Sequence, residues 1–214
     1  IYTTAHSQAK MSANTAKAVK KTLTFGIIIK QPVFMFMALL AFGYGAVEFG
    51  NANWFVSYAQ NGIGFTGEQA RNLLACFTAG MVISRLLFPL LLRVVSVHRL
   101  IIVMATASLI GVLVLKLMSS FYGIGAGNLL LGLGLGGLFP LMLSAAMNID
   151  SDNGPVVSGI ALIANAIGVQ VASFSAGLWA NFAPLTTAFW VIPIAGCVLW
   201  FASYGYSRML KPRR

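Results

Sequence analysis

The sequence predicts an all-α membrane protein, a bundle of about six transmembrane helices, and three observations carry that expectation. Hydrophobic residues make up 58% of the 214-residue chain and charged residues 8%, too little polar surface to coat a soluble globule of this length. Apolar runs recur at lengths near the ~20 residues that one helix needs to cross a hydrocarbon core of ~30 Å. The basic residues, which give a formal charge of +10, lie in short clusters between those runs and not along an amphipathic face, which argues against nucleic acid as a partner.

Six runs emerge, at 33–59, 69–92, 100–118, 121–147, 156–182 and 186–206. The first follows Pro32, which suits a first helical turn because its missing N–H would be unpaired there anyway. Backbone groups in lipid must be paired internally, so long, unalternating runs span as helices and not as the short alternating strands of a barrel. The segment 1–31 is polar and lysine-bearing and lacks the apolar core of a secretory signal; with Ile1 at its start it reads as a linker within something longer, and 16–24 suits a short interfacial helix or plain linker. The bundle is expected over 32–207 and a basic tail over 208–214.

Positive charge sets the orientation, because Lys and Arg are retained on the cytoplasmic side. Lys10, Lys17, Lys20, Lys21 and Lys30 precede the first run, Arg85, Arg93 and Arg99 surround the second turn, and Arg208, Lys211, Arg213 and Arg214 follow the sixth. Only Arg71 and Lys116 fall opposite, so both termini are expected in the cytoplasm.

Glycines crowd the fourth run at positions 123, 125, 127, 132, 134, 136 and 137. No strand signal or ribose-binding acid accompanies them, so helix packing through small residues is the expectation, and not dinucleotide binding. The fifth run carries a comparable stripe, Ser158, Ala161, Asn165, Gly168, Ala172 and Ser175, which must face protein or a cavity because Asn165 is costly against lipid.

Glu48 is the most informative residue, one of four acids in the chain and well inside the first run. An ionisable side chain at such depth marks a transport path, a proton relay or a buried ion pair. Tyr44, Asn51 and Phe55 share its helical face. Glycine and amides crowd the stretch from Glu48 to Trp54, and interrupted segments of this kind point to a binding site; a break at Gly50 would bring Asn53 and Trp54 to the same cavity. Asn128, Asn165 and Gln170 add amides on the fourth and fifth runs, suited either to a neutral polyhydroxylated solute or to bonds between helices. Counted at 1.5 Å per residue, Glu48 lies ~24 Å from Pro32 and Arg85 ~28 Å from the opposite edge, so the two are not expected to pair.

Hydrolytic and metal chemistry find no support. His6 and His98 lack partners at ligand spacing, Cys76 and Cys197 sit in apolar runs as small hydrophobes, and Ser158-Gly159 has no membrane histidine to act as its base. No enzyme, metal or cofactor is expected.

Gly80-Met-Val-Ile-Ser-Arg85, with Pro89, Arg93 and His98-Arg99, resembles the second copy of the cytoplasmic loop motif of the major facilitator superfamily, although Ser84 stands where glycine is common and no acid precedes Arg93. Gly134 to Pro140 is similar to the tenth helix of that family, and Tyr44 to Glu48, with Trp54 and Tyr58, to the seventh helix of its fucose:proton symporter branch. The resemblance covers the chain as a carboxy-terminal six-helix half. It implies secondary active transport of a small, sugar-like solute by alternating access, with a proton as co-substrate, a multi-pass position in a plasma, inner or organelle membrane, and a missing amino-terminal half or partner chain. Tyr44, Glu48, Asn51, Asn53, Trp54, Asn128, Asn165 and Gln170 are then the candidate binding or coupling residues. Arg85, Arg93, Arg99, Asp150 and Asp152 form a candidate cytoplasmic gate. The competing expectation is a half-carrier fold kept as a non-transporting scaffold, in which the same polar residues bind neighbouring helices.

Overall fold

A computed structural model describes Ile28 and residues 30–210. The linker expected at 1–31, with its helix at 16–24, falls almost wholly outside the described residues, as do Lys211, Arg213 and Arg214 of the basic tail. Six helical segments are long and apolar enough to cross a bilayer, and no strand occurs among the described residues. By length and composition the chain is an integral, multi-pass membrane protein.

Crossing 1 is α1 (Pro32–Ser57), continued without a break by a π-helical segment, Tyr58–Ile63. It therefore extends past the expected end at 59. It stops at Gly64, whose φ of 97° suits glycine because no Cβ obstructs the left-handed region, and whose N–H reaches the carbonyls of Ala59 and Gln60 at 3.1 Å each. Crossing 2 is α2 (Gly67–Leu91), opened by a reciprocal cap: the Gln69 N–H donates to Thr66 Oγ1 at 3.2 Å and the Thr66 N–H to Gln69 Oε1 at 3.0 Å. Crossing 3 is α3 (Val97–Leu117). Crossing 4 comprises α4 (Phe121–Leu135) and α5 (Leu138–Ile149), jointed at Gly136 and Gly137. Crossing 5 enters through a 3-10 turn, Ser151–Asn153, and continues as α6 (Gly154–Ala180). Crossing 6 comprises α7 (Leu185–Ala188) and α8 (Val191–Leu210), so the bundle reaches three positions past its expected limit at 207.

The main helix contacts place the crossings side by side in the order 2, 4, 3, 6, 1, 5. That order has an internal symmetry. Exchanging crossings 1, 2 and 3 for 4, 5 and 6 turns the 1–5 contact into the 4–2 contact and the 1–6 contact into the 4–3 contact, while 3–6 maps onto itself. Each triplet has an odd number of crossings, so the second enters the membrane inverted with respect to the first. The outermost members, crossings 2 and 5, are also the least covered: 28% of each apolar stretch is buried, against 44–61% in the others.

Lipid tails are as apolar as leucine, so contacts between these helices gain little from the hydrophobic effect and depend on close packing. Glycine supplies it at each main contact of the α1 and α4 pairs. A Cβ on Gly132 would strike the Phe77 carbonyl oxygen of α2, and one on Gly80 the Leu129 carbonyl oxygen of α4. On the symmetry-related side, a Cβ on Gly168 would strike the Phe42 carbonyl oxygen of α1, and one on Gly45 the Asn165 carbonyl oxygen of α6. Gly43 lies against Leu199 of α8, and Gly111 of α3 against Leu131 of α4. The fourth-run glycines and the fifth-run stripe are thus packing surfaces. At the Gly64 end of the bundle, the Lys116 ammonium stands 5.5 Å from the Tyr58 ring centre and 5.1 Å from that of Trp190, and Tyr58 stacks on Phe189 at 4.1 Å. These contacts hold the π-helical end of crossing 1 against crossings 3 and 6.

Gly132→Val places a branched side chain where a backbone carbonyl already sits, so it is expected to force α2 and α4 apart and cost about 1–3 kcal/mol, read as a lower unfolding midpoint in detergent. Gly159, whose Cβ position is open within 4 Å, serves as control: Gly159→Ala should leave the midpoint unchanged or slightly raised. Equal losses at both sites would refute the packing role of Gly132.

Candidate functional site

Glu48 lies midway along crossing 1, which has 32 residues, and its side chain is half-buried. Tyr44, one turn earlier, is buried at 4% exposure with its ring 5.2 Å from that of Phe139 on α5. Glu48 and Arg85 lie in the neighbourhood of the Tyr44 phenol, without an ion pair between the two charges. This corrects the expectation that Glu48 and Arg85 lie too far apart in depth. Counted from the end that crossings 1 and 2 share, Glu48 is ~22 Å in from Ile63 and Arg85 ~27 Å in from Gly67, a difference of ~5 Å. Crossing 1 runs four residues, about one turn or ~6 Å, past the expected end at 59, which leaves Glu48 near the middle of its 32 residues.

Arg85 also donates its Nε–H to the Gly136 carbonyl at 3.3 Å. The chemistry of that bond is written in the sequence. Gly136 would ordinarily pair with the N–H four residues on, but that residue is Pro140, which has none. The released carbonyl takes an arginine instead, joining α2 to the joint of crossing 4. Pro140 four residues after a glycine was the available signal for this contact, and hydropathy alone does not show it.

Asn51 and Asn128 meet one turn beyond Glu48. Both are fully buried, and Asn51 Nδ2 donates to Asn128 Oδ1 at 3.1 Å, bridging α1 to α4. The remaining atoms, Asn51 Oδ1 and Asn128 Nδ2, have no protein partner. One acceptor and one donor are thus left free inside the bundle, next to the acid.

The other amides do not join this group. The helix runs unbroken through Gly50, which admits the Ile192 side chain, so the break that would have carried Asn53 and Trp54 to Glu48 does not occur. Asn53 instead donates to Ser173 Oγ of α6 at 3.4 Å, a partner the sequence reading missed, and Trp54 packs over Gly177. Asn165 donates to the Ala41 carbonyl at 3.5 Å and lies on Gly45, as an interhelical bond. Gln170 is exposed.

The five gate residues form no ion pair with one another. Asp150 accepts from the Asn153 side chain at 3.0 Å on each oxygen and from the Asn153 N–H at 3.3 Å, closing the turn into α6, while Asp152, Arg93 and Arg99 are exposed. Arg85 sits with Tyr44 and Glu48. No family model matches the chain, and no curated protein matches it.

Asn51→Leu removes the donor that Asn128 uses and is expected to cost about 1 kcal/mol, the scale of an interhelical hydrogen bond within a membrane. Adding Asn128→Leu should cost less than it does alone, because the amide it removes has already lost its partner. A double-mutant cycle on unfolding in detergent measures this, and strict additivity would show that the two amides do not interact.

Proposed function

We propose that the chain is a six-helix half of a secondary carrier of the major facilitator type, moving a small polar, sugar-like solute by alternating access with a proton carried through Glu48. The observation that carries this reading is the inverted repetition of three crossings, in which each helix of one triplet has the same neighbours as its counterpart in the other. Repeats of this kind support carriers that rock about a site near the middle of the bilayer. Glu48 lies near the middle of crossing 1, and with Tyr44, Arg85, Asn51 and Asn128 it brings together an acid, a cation, a phenol and two amides. The thin cover on crossings 2 and 5 supports a second six-helix bundle as the partner that completes the cavity. Arg93, Arg99, Asp150 and Asp152 remain proposed gate residues that engage in another state of the carrier. A plasma, inner or organelle membrane is the proposed location, with both termini in the cytoplasm.

Within the site, the division of labour follows from the side chains. Tyr44 and Arg85 are the nearby partners proposed for the Glu48 carboxylate, and a proton arriving at Glu48 would remove its attraction for Arg85. Arg85 keeps the Gly136 carbonyl as its other partner. Asn51 Oδ1 and Asn128 Nδ2 offer a hydroxyl-bearing solute one acceptor and one donor.

The scaffold reading draws on Asn51–Asn128 and Asn165–Ala41, both of which spend polar atoms on neighbouring helices. Uptake by proteoliposomes holding the complete carrier separates the two. Glu48→Gln is expected to retain counterflow exchange but lose accumulation driven by a pH gradient by tenfold or more. Absence of any uptake by the intact protein, together with failed assembly of the Glu48→Gln variant, would establish the scaffold.

A further inference from the structure

A second polar site lies away from Glu48, at the membrane edge where crossing 3 begins and crossing 6 ends. There a cavity of about 390 Å³ opens between the first turns of α3 and the last turns of α8, lined by His98, Arg99, Ile102, Tyr204, Ser207 and Arg208. Two guanidinium groups and an imidazole face it, and no carboxylate is among the lining residues. The acids among the described residues are Glu48 and Glu68 on crossings 1 and 2 and Asp150 and Asp152 beside the turn into α6. A pair of arginines in a concave site with no carboxylate lining it among the described residues calls for an anion.

Arg208 is held in place before any ligand arrives. Along one face of α8, Trp200 stacks on Tyr204 at 5.7 Å and 12°, and the Arg208 guanidinium lies 5.0 Å from the Tyr204 ring centre. The Arg208 Nη2 also donates to the Tyr204 hydroxyl. Trp200 donates from Nε1 to Thr106 Oγ1 of α3 at 3.0 Å, and Ser207 donates to the His98 carbonyl at 2.6 Å, so the two walls are tied at two levels. Arg99 stands in the first turn of α3, where Ser96 makes no side-chain cap to the helix N–H groups. The positive end of that helix dipole thus adds to the two guanidinium charges. Ile102 lines the cavity one turn further into the crossing, where an acyl chain would enter the hydrocarbon.

We infer that this cavity binds a phosphate-bearing anion, held between the forks of Arg99 and Arg208 as guanidinium groups hold phosphate oxygens. The phosphodiester of an anionic phospholipid headgroup has that chemistry, and so does free phosphate. None of its residues belongs to the Glu48 group; Arg99 is shared with the proposed gate, and anion-dependent stability tests the site separately from transport.

Thermal unfolding of the purified full chain decides the matter, in neutral detergent with phosphatidylglycerol, phosphatidylcholine or inorganic phosphate added separately. The expected result is a rise in midpoint of several degrees with phosphatidylglycerol and little with phosphatidylcholine. Arg99→Gln should weaken the apparent affinity tenfold or more while leaving the Tyr204–Arg208 stack intact, and Arg208→Lys should weaken it less, because charge stays but the fork is lost. Arg93→Gln, exposed on the same side but outside the cavity, should change nothing. A comparable rise with inorganic phosphate assigns the site to a soluble phosphate, and a rise with lipid alone assigns it to the headgroup. No anion-dependent rise, or a rise that Arg99→Gln and Arg93→Gln diminish equally, overturns the site.

Discussion

Helices in hydrocarbon must approach one another closely enough for dispersion and backbone contact to replace the hydrophobic force that water would provide. In this chain that requirement is met by glycine placed opposite backbone on both sides of α1 and of α4, and the rest of the bundle depends on it. Gly45 and Gly168 bring α1 and α6 together, as Gly80 and Gly132 bring α2 and α4 together. The Asn51–Asn128 bond adds a polar tie between α1 and α4, two helices whose main backbone contacts are made with other partners.

The polar side chains fall into two groups by the partners they have. Asn165, Asn53 and Asp150 are bonded to backbone or side-chain partners in ways that fix helix positions. Asn51 Oδ1 and Asn128 Nδ2, by contrast, are buried without a protein partner. Burying such groups is unfavourable unless something else is gained.

Much of the fold was legible because hydropathy and helix length are set by the same bilayer. Each of the six apolar runs lies over a crossing, and the small-residue periodicity of the fifth run marks the face that meets α1. What escaped the sequence reading has specific physical causes. The polar residues Gln60, Asn61 and Gly62 ended the apolar count, yet a helix leaving the hydrocarbon continues as long as its ladder can close, and the π-helical turns do so. The depth of Glu48 was misplaced for that reason, and its relation to Arg85 with it. Asn53 and Trp54 were tied to a break at Gly50, but a glycine that admits a neighbouring side chain leaves the helix intact. The partners of Asn51 and Asn53 depend on how helices far apart in sequence are arranged, which periodicity within one helix does not encode.

The joint at Gly136 and Gly137 has a mechanical meaning. The upper rod, α4, leans chiefly on α2 and α3, and the lower rod, α5, finds its largest contact on α6. A straight helix would transmit torque from end to end, whereas a rod with a proline-released carbonyl at its elbow bends there first. Swivelling of the lower rod can therefore proceed while the upper rod keeps its seat, with the arginine clasp at Gly136 setting how stiff the elbow is.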